Sequence, residues 1–364
     1  MEQFLRQLQT IPEAAELIRR VEEGGCPAAV SGLQPVQRAC VGAAVAAACG
    51  RPAVFLCGDE REVQVLSADL ETLTGKRPVT LLGREWQFRP GAVGSRDWER
   101  SRLAALYALA QGDAPVVVAT ADGLMARTLP PETLRSLAIT LEVGGQAELG
   151  ALAEQLLSAG DTRCEQVEGV GQFALRGGIL DVFSPLMDQP VRCEFFDDEI
   201  DSMGAFDPGT QRRTRNVSSA RILPAAEVLP HCAPGGLPGL ADQLTALAEK
   251  LAKKQKTEAI VQTLREDAER LRSGAAPGAA DRYLAAIYPT VTAGVHYLPP
   301  NAVVFLSESG RVDERVKNTV LQQKQDVEAL LSAGVLAGEY AHLTLTAEEL
   351  YAALEDFPVI LEDS

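Results

Sequence analysis

Residues 171–214 read GQFALRGGILDVFSPLMDQPVRCEFFDDEIDSMGAFDPGTQRRT, and this stretch decides how the rest of the chain is read. Phe173, Leu175, Ile179, Leu180, Val182 and Phe183 are apolar and largely β-forming, and Gly177-Gly178 between them supplies the positive φ of a tight bend. Two short strands meet there. Further on, Val191, Cys193 and Phe195 alternate with Arg192 and Glu194. Asp197-Asp198-Glu199 makes a polar turn before Ile200, Met203 and Phe206, and Asp207-Pro208-Gly209 turns the chain again. The pattern predicts a small, mostly antiparallel sheet that carries several arginines and an acidic hairpin tip, as a recognition surface does.

Upstream, β-rich runs at 53–56, 79–82 and 116–120 alternate with helical patterns at 63–73 and 100–109. This predicts a parallel sheet with helices on its faces as far as about Leu134. A strand-like run at 138–141 and a helix over 147–158, ended by Gly160, open a second unit that the signature sheet completes by about Ile222. Helical spacing then returns through Leu240, Leu244, Leu247 and Leu251, and again through Ile260, Leu264 and Leu271. After a loop at 274–278, β-like runs at 303–306, 343–345 and 359–361 interleave with helices over 314–331 and 347–354, so the final third reads as α/β again.

A chain of 364 residues with 46% apolar content divides into two or three globular domains. No apolar run approaches the roughly 20 residues of a membrane span, and the first 19 residues carry too many charges for a signal sequence, so a cytoplasmic location is expected. The seven cysteines have no Cys-x-x-Cys spacing, and Cys40, Cys49, Cys57 and Cys193 sit in apolar patterns, which predicts reduced core thiols. A formal charge of −16 makes the chain a poor DNA binder on its own, because such affinity draws on Lys and Arg neutralising phosphates. Two local basic clusters stand out: Arg212, Arg213 and Arg215, read as a polar strand edge, and Lys250, Lys253, Lys254 and Lys256, read as a solvated helix face. Without a heptad run or a long apolar stripe, a monomer is expected.

Catalytic signals are weak. Asp197, Asp198, Glu199 and Asp201 fit a hairpin tip in water, His231, His296 and His342 are scattered, His231-Cys232 lacks the paired ligands of a zinc site, and no Gly-x-Ser-x-Gly occurs. No catalytic or metal-binding residue is assigned, and no enzyme activity is expected from this chain alone.

The blocks FALRGGILDVF, VRCEFFDDEIDSM and FDPGTQRR resemble the signature of the family that includes the excision-repair protein UvrB and the N-terminal module of bacterial transcription-repair coupling factors. Weaker similarity runs through VSGLQPVQRACVGAAVAAA, FRPGAVGSRDWERSRLAALYAL and ARILPAAEVLP. The resemblance implies a UvrB-like α/β fold: a helicase-like domain in two parts, residues 1–134 and 223–364, with a small α+β domain at 135–222 that docks UvrA. A nucleotide-using UvrB needs a Gly-rich loop ending in Gly-Lys-Ser/Thr, whose N–H groups cradle phosphates while Lys neutralises them and the hydroxyl holds Mg²⁺. Here the strand-turn-helix position reads Ser31-Gly32-Leu33-Gln34-Pro35-Val36-Gln37-Arg38: Lys and the hydroxyl are missing and Pro35 removes one N–H. Gly32, Gln37 and Arg38 mark this degenerate P-loop, while Gly75-Lys76 reads as a helix C-cap. Without a phosphate loop, Arg102-Leu103 and Thr120 are read as structural.

Carried over position by position, the family's UvrA-contacting arginines fall on Arg163 and Arg176, and a further one falls on Ala174, which puts that contact in doubt. Phe173 and Phe183 are candidate apolar anchors beside them, and both also fit the core of the small sheet. The resemblance thus implies a non-catalytic fragment that recruits UvrA to stalled RNA polymerase. Its alternative, a UvrB-type nucleotide-dependent DNA-loading enzyme, is separated from it at Gly32 to Arg38. The full coupling factor is expected to continue into an RNA polymerase-binding module and a DNA translocase motor. ATP and Mg would belong to that motor, which could also mask the UvrA surface.

Overall fold

The computed structural model describes residues 2–91 and 97–364; residues 92–96 of the FRPGAVGSRDW segment lie outside them. Two amphipathic helices, α1 (Glu2–Leu8) and α2 (Pro12–Glu23), precede β1 (Ala28–Val30), α3 (Pro35–Cys49), β2 (Ala53–Cys57), α4 (Glu60–Thr74), β3 (Val79–Leu81), α5 (Asp97–Gln111) and β4 (Val116–Thr120). Every residue of β2 and of β4 is buried, as strands covered on both faces must be. α4 begins where the Asp59 carboxylate accepts the Glu62 N–H at 2.8 Å and stops at left-handed Gly75, the C-cap expected there. Short helices α6 (Ala121–Met125) and α7 (Pro131–Leu137) complete this segment.

The chain then builds β5 (Ile139–Glu142), α8 (Leu149–Ser158), β6 (Thr162–Arg163), β7 (Gln172–Arg176), β8 (Ile179–Phe183), β9 (Val191–Phe196), β10 (Glu199–Phe206), β11 (Arg213–Asn216) and β12 (Ser219–Ile222). β11-β10-β9-β8-β7-β6 form a six-stranded sheet, antiparallel except for β6 beside β7, and β5 pairs with β12 as a separate ribbon. Leu152 and Leu156 of α8, with Leu141, Ala220 and Ile222 of the ribbon, close over Phe173, Leu180, Val182, Val191, Cys193, Ile200 and Met203 to form the core of this unit.

Helices α9 (Gly236–Leu251), α10 (Glu258–Arg272) and α11 (Leu284–Ile287) lead to β13 (Val303–Ser307), α12 (Ser309–Ser332), α13 (Ala347–Leu354) and β14 (Val359–Glu362). These last strands insert into the first sheet, whose order is β1-β14-β13-β2-β4-β3 with every pairing parallel. The first and last thirds therefore share one sheet and one core, in which Leu103, Leu124 and Leu129 pack with Leu240, Leu264 and Leu284. The fold is α/β, with the small, mainly antiparallel sheet unit set between the two parts of a parallel-sheet domain.

Two local expectations fail. The run at 343–345 is not a strand, since only Thr344 bridges Ala126; Leu343 and Leu345 are buried, and Thr346 at once caps α13. Lys253, Lys254 and Lys256 lie on no helix face, because α9 ends at Leu251 and they occupy the exposed turn before α10, Lys256 with positive φ.

Candidate functional site

The small sheet has one face in the core and one only partly covered. The β6–β7 loop lies over one end of the second face, where Val167, Ala174, Phe183 and Phe206 cluster. The other end is open. The cross-strand row Ala174, Asp181, Arg192, Gly204 borders it, and the next row, Arg176, Ile179, Glu194, Ser202, is exposed or half-buried. Asp181 is wholly buried and ion-paired to both Arg176 and Arg192. Its hydrogen bonds raise the pKa of the Arg192 guanidinium, which also lies 4.8 Å from the Phe206 ring centroid. Glu194 accepts the Ser202 hydroxyl at 2.8 Å. Arg213, on edge strand β11, donates to the Met203 carbonyl and lies where a side chain at Gly204 would stand, so the glycine lets it lie against the sheet. Arg212, Arg213 and Arg215 are exposed at that edge, as expected.

Of the residues carried over from the family, Arg176 is exposed on this face. Arg163 is exposed too, but its register partner is Phe173, so it leaves the outermost strand toward the α8 side of the sheet, apart from Arg176. Phe173 is fully buried and Phe183 is 8% exposed, so neither is a surface anchor: strand alternation turns one into the main core and the other under the β6–β7 loop. Ala174 is buried beneath that loop as well. The aromatic that does face water is Phe196, 77% exposed at the end of β9, on the Arg192 and Glu194 side. Period-two alternation from Arg192 points to it in the sequence. The adjoining Asp197, Asp198, Glu199 and Asp201 form the solvated hairpin tip that was expected.

The degenerate loop sits at the carboxyl ends of β1, β14, β13 and β2, where parallel sheets hold ligands. Gly32 turns there with φ +84°. Gln37 folds its side chain back to accept the Gln34 N–H at 2.8 Å, and Pro35 opens α3. The buried Arg38 guanidinium is ion-paired to Glu308 and lies 3.6 Å from Glu62. Glu362, at the end of β14, is wholly buried nearby; burial, opposed by Arg38 and aided by Glu62, holds its carboxyl well above the ordinary range. Glu62 also accepts from Ser307 Oγ at 2.7 Å, and Leu33 N donates to the Asp363 carbonyl at 3.1 Å. The space left beside Arg38 and Glu62 is about 20 Å³, room for about one water.

Between the two units, Arg100 on α5 donates to the Pro185 and Met187 carbonyls, Arg221 donates to the Tyr107 hydroxyl at 2.6 Å, and the Leu223 N–H bonds Ser184 Oγ at 2.8 Å. Arg102 is indeed structural: it is buried and pairs with Glu227 at 2.9 Å. Burial lowers the pKa of the His231 imidazole, and among the described residues no group of His, Cys, Asp and Glu is arranged to hold a metal ion. All seven cysteines are free; Cys57 and Cys193 are buried, Cys193 with its thiol pushed up to about 12 by burial, while Cys40 and Cys49 are only half-buried. Among the described residues no helix is long and apolar enough to cross a membrane.

Comparison with known proteins places this geometry. The family model described as UvrB interaction domain matches residues 139–227. The transcription-repair-coupling factor of Bacillus subtilis (strain 168) is 29% identical over 322 residues, covering 87% of this chain and 27% of that protein. That of Myxococcus xanthus is 34% identical over 253 residues, 67% of this chain and 20% of that protein. That of Escherichia coli (strain K12) is 33% identical over 178 residues, 48% and 15% respectively. The chain thus spans between 15% and 27% of the length of these relatives. A UvrB interaction domain match at its centre and this similarity over most of its length support reading the chain as a UvrB-like module similar to part of the transcription-repair coupling factors.

Proposed function

We propose that this module recruits UvrA in transcription-coupled nucleotide excision repair, docking it on the open face of the β6–β11 sheet, and that it does so without binding nucleotide. The observation that carries the reading is the exposed Arg176, next to Arg192 at Asp181 and on the same sheet face as Arg213, in a chain whose net charge is −16. A local cationic face on an acidic protein suits an acidic patch on one protein partner, through paired guanidinium and carboxylate groups. Phe196, exposed on the same side, adds an aromatic of the kind that concentrates interface energy. Arg163, which leaves the sheet on the α8 side, lies outside this surface.

The absence of nucleotide chemistry is supported by what fills the loop. Glu62, Glu308 and Glu362 gather around Arg38, with Arg311 reaching Glu62 at 3.9 Å, so triphosphate oxygens would meet carboxylates where a P-loop offers Lys and N–H groups. Gln37 already accepts a backbone N–H at the start of α3. A UvrB-type, nucleotide-loaded enzyme is therefore the weaker reading, and ATP and Mg²⁺ are assigned to a motor outside this chain, as are contacts with RNA polymerase and duplex DNA. The module acts as a cytoplasmic monomer that the motor can mask by covering the same face.

The test is competition. Labelled UvrB bound to purified UvrA is titrated with this chain, and the reading requires displacement that Arg176→Ala weakens. Undisturbed UvrB at saturating chain would overturn it.

A further inference from the structure

We propose that Asp181 is the positioning residue of the arginine face, holding the Arg176 guanidinium in the orientation in which the partner's carboxylates meet it. The inference rests on the docking reading above and assigns a role within it to a residue that makes no contact with the partner.

Asp181 lies at the middle of β8, between Leu180 and Val182, which face the core. Its own side chain faces the other way and is wholly buried. In its cross-strand row, Ala174 on one side and Gly204 beyond Arg192 are too small to reach the carboxylate, which leaves room for two guanidinium groups. Both are present. Arg192 Nε donates to Oδ1 at 2.7 Å and Arg192 Nη2 to Oδ2 at 2.8 Å, while Arg176 Nη2 donates to Oδ2 at 2.7 Å.

The two arginines do different jobs. Arg192 grips the carboxylate through two parallel bonds, is 23% exposed, and packs over Phe206, so it is spent inside the molecule. Arg176 gives one N–H to Asp181, and its side chain is 50% exposed. A guanidinium has five N–H donors, so the larger part of its hydrogen-bonding capacity faces outward. An unrestrained exposed arginine spreads over many rotamers and must be ordered when it binds; one already held by a buried carboxylate has less to lose. Arg192 fixes Asp181, and Asp181 in turn fixes Arg176.

A double-mutant cycle tests this directly. Wild type, Asp181→Asn, Arg176→Ala and the combination are titrated calorimetrically with purified UvrA, with near-ultraviolet circular dichroism as the check on folding. The expected result is that D181N weakens binding about three- to tenfold when Arg176 is present and leaves the R176A background unchanged. Equal weakening in both backgrounds would make Asp181 a merely structural residue and overturn the inference while sparing the docking reading. An R176A variant that binds like wild type would overturn both. Should D181N fail to fold because Arg192 loses its counter-charge, Asp181→Asn with Arg192→Gln removes the pair as a unit. The same dependence on Arg176 is then required.

Discussion

Glu227 is the buried charge on which the larger domain turns. It is fully buried, ion-paired to Arg102 at 2.9 Å and Arg84 at 3.8 Å, and accepts the Thr128 hydroxyl at 2.6 Å. Burial works to raise its pKa, but Arg102 and Arg84 outweigh that, so the carboxyl stays below the ordinary range and charged. Glu227→Gln takes a counter-charge from buried Arg102 and one of two from buried Arg84, which keeps Asp281 at 2.9 Å, and is expected to cost about 3–5 kcal/mol, read as a shift in the urea midpoint. Asp161 is the opposite case. Its carboxyl oxygens are buried without a hydrogen-bond partner among the described residues, and burial pushes its pKa up to about 8. The folded state therefore holds a proton that the unfolded chain releases near pH 4, so stability falls as pH rises from about 4 and levels off above about 8. Asp161→Asn is expected to remove that share of the decline and to raise stability at pH 8, as measured by denaturant unfolding across the range. Parallel pH profiles for wild type and variant would contradict it. At this scale the sequence marked the arginines but not their partners. Arg176 is readable from its motif, whereas Asp181, sitting among apolar neighbours as Ile-Leu-Asp-Val-Phe, gains its role only when β9 brings Arg192 across from it. Phe173 and Phe183 were ambiguous because a strand can bury either of its two faces.

Individual elements were far more legible. The helix from Ala347 to Leu354, the strand from Val116 to Thr120 and the turn at Gly177-Gly178 fall where hydrophobic period and turn residues put them, because each depends on local chemistry. Gly177, at φ +58°, closes the β7–β8 hairpin next to Arg176. Gly177→Ala forces a Cβ into left-handed backbone, and an expected loss of about 1 kcal/mol would appear in chemical melts. No loss would mean that the turn can relax at no cost. The run at 343–345 misled for the complementary reason: two buried leucines around a threonine have strand periodicity, but among the described residues only an isolated bridge to Ala126 lies alongside. The lysines after Leu251 misled because charge alone does not mark where a helix stops.

The order of the large sheet was the least legible feature of the molecule, since nothing local says that β13 and β14 fit between β1 and β2. That insertion brings Glu308 and Glu362 to Arg38, beside the loop which the sequence could only describe as missing its lysine. Equilibrium dialysis with ATP and Mg²⁺ is expected to find no retention at millimolar nucleotide; saturable binding would restore the UvrB-type reading. The central claim concerns the other domain, and one measurement reaches it most directly: calorimetric titration of this chain with purified UvrA at low and high salt, wild type beside Arg176→Ala. The account predicts binding that weakens as salt rises, because charged pairs at a partly exposed face are screened, and a loss of about 1–3 kcal/mol in the variant. Binding of equal strength in the two proteins would show that the arginine face is not where UvrA docks.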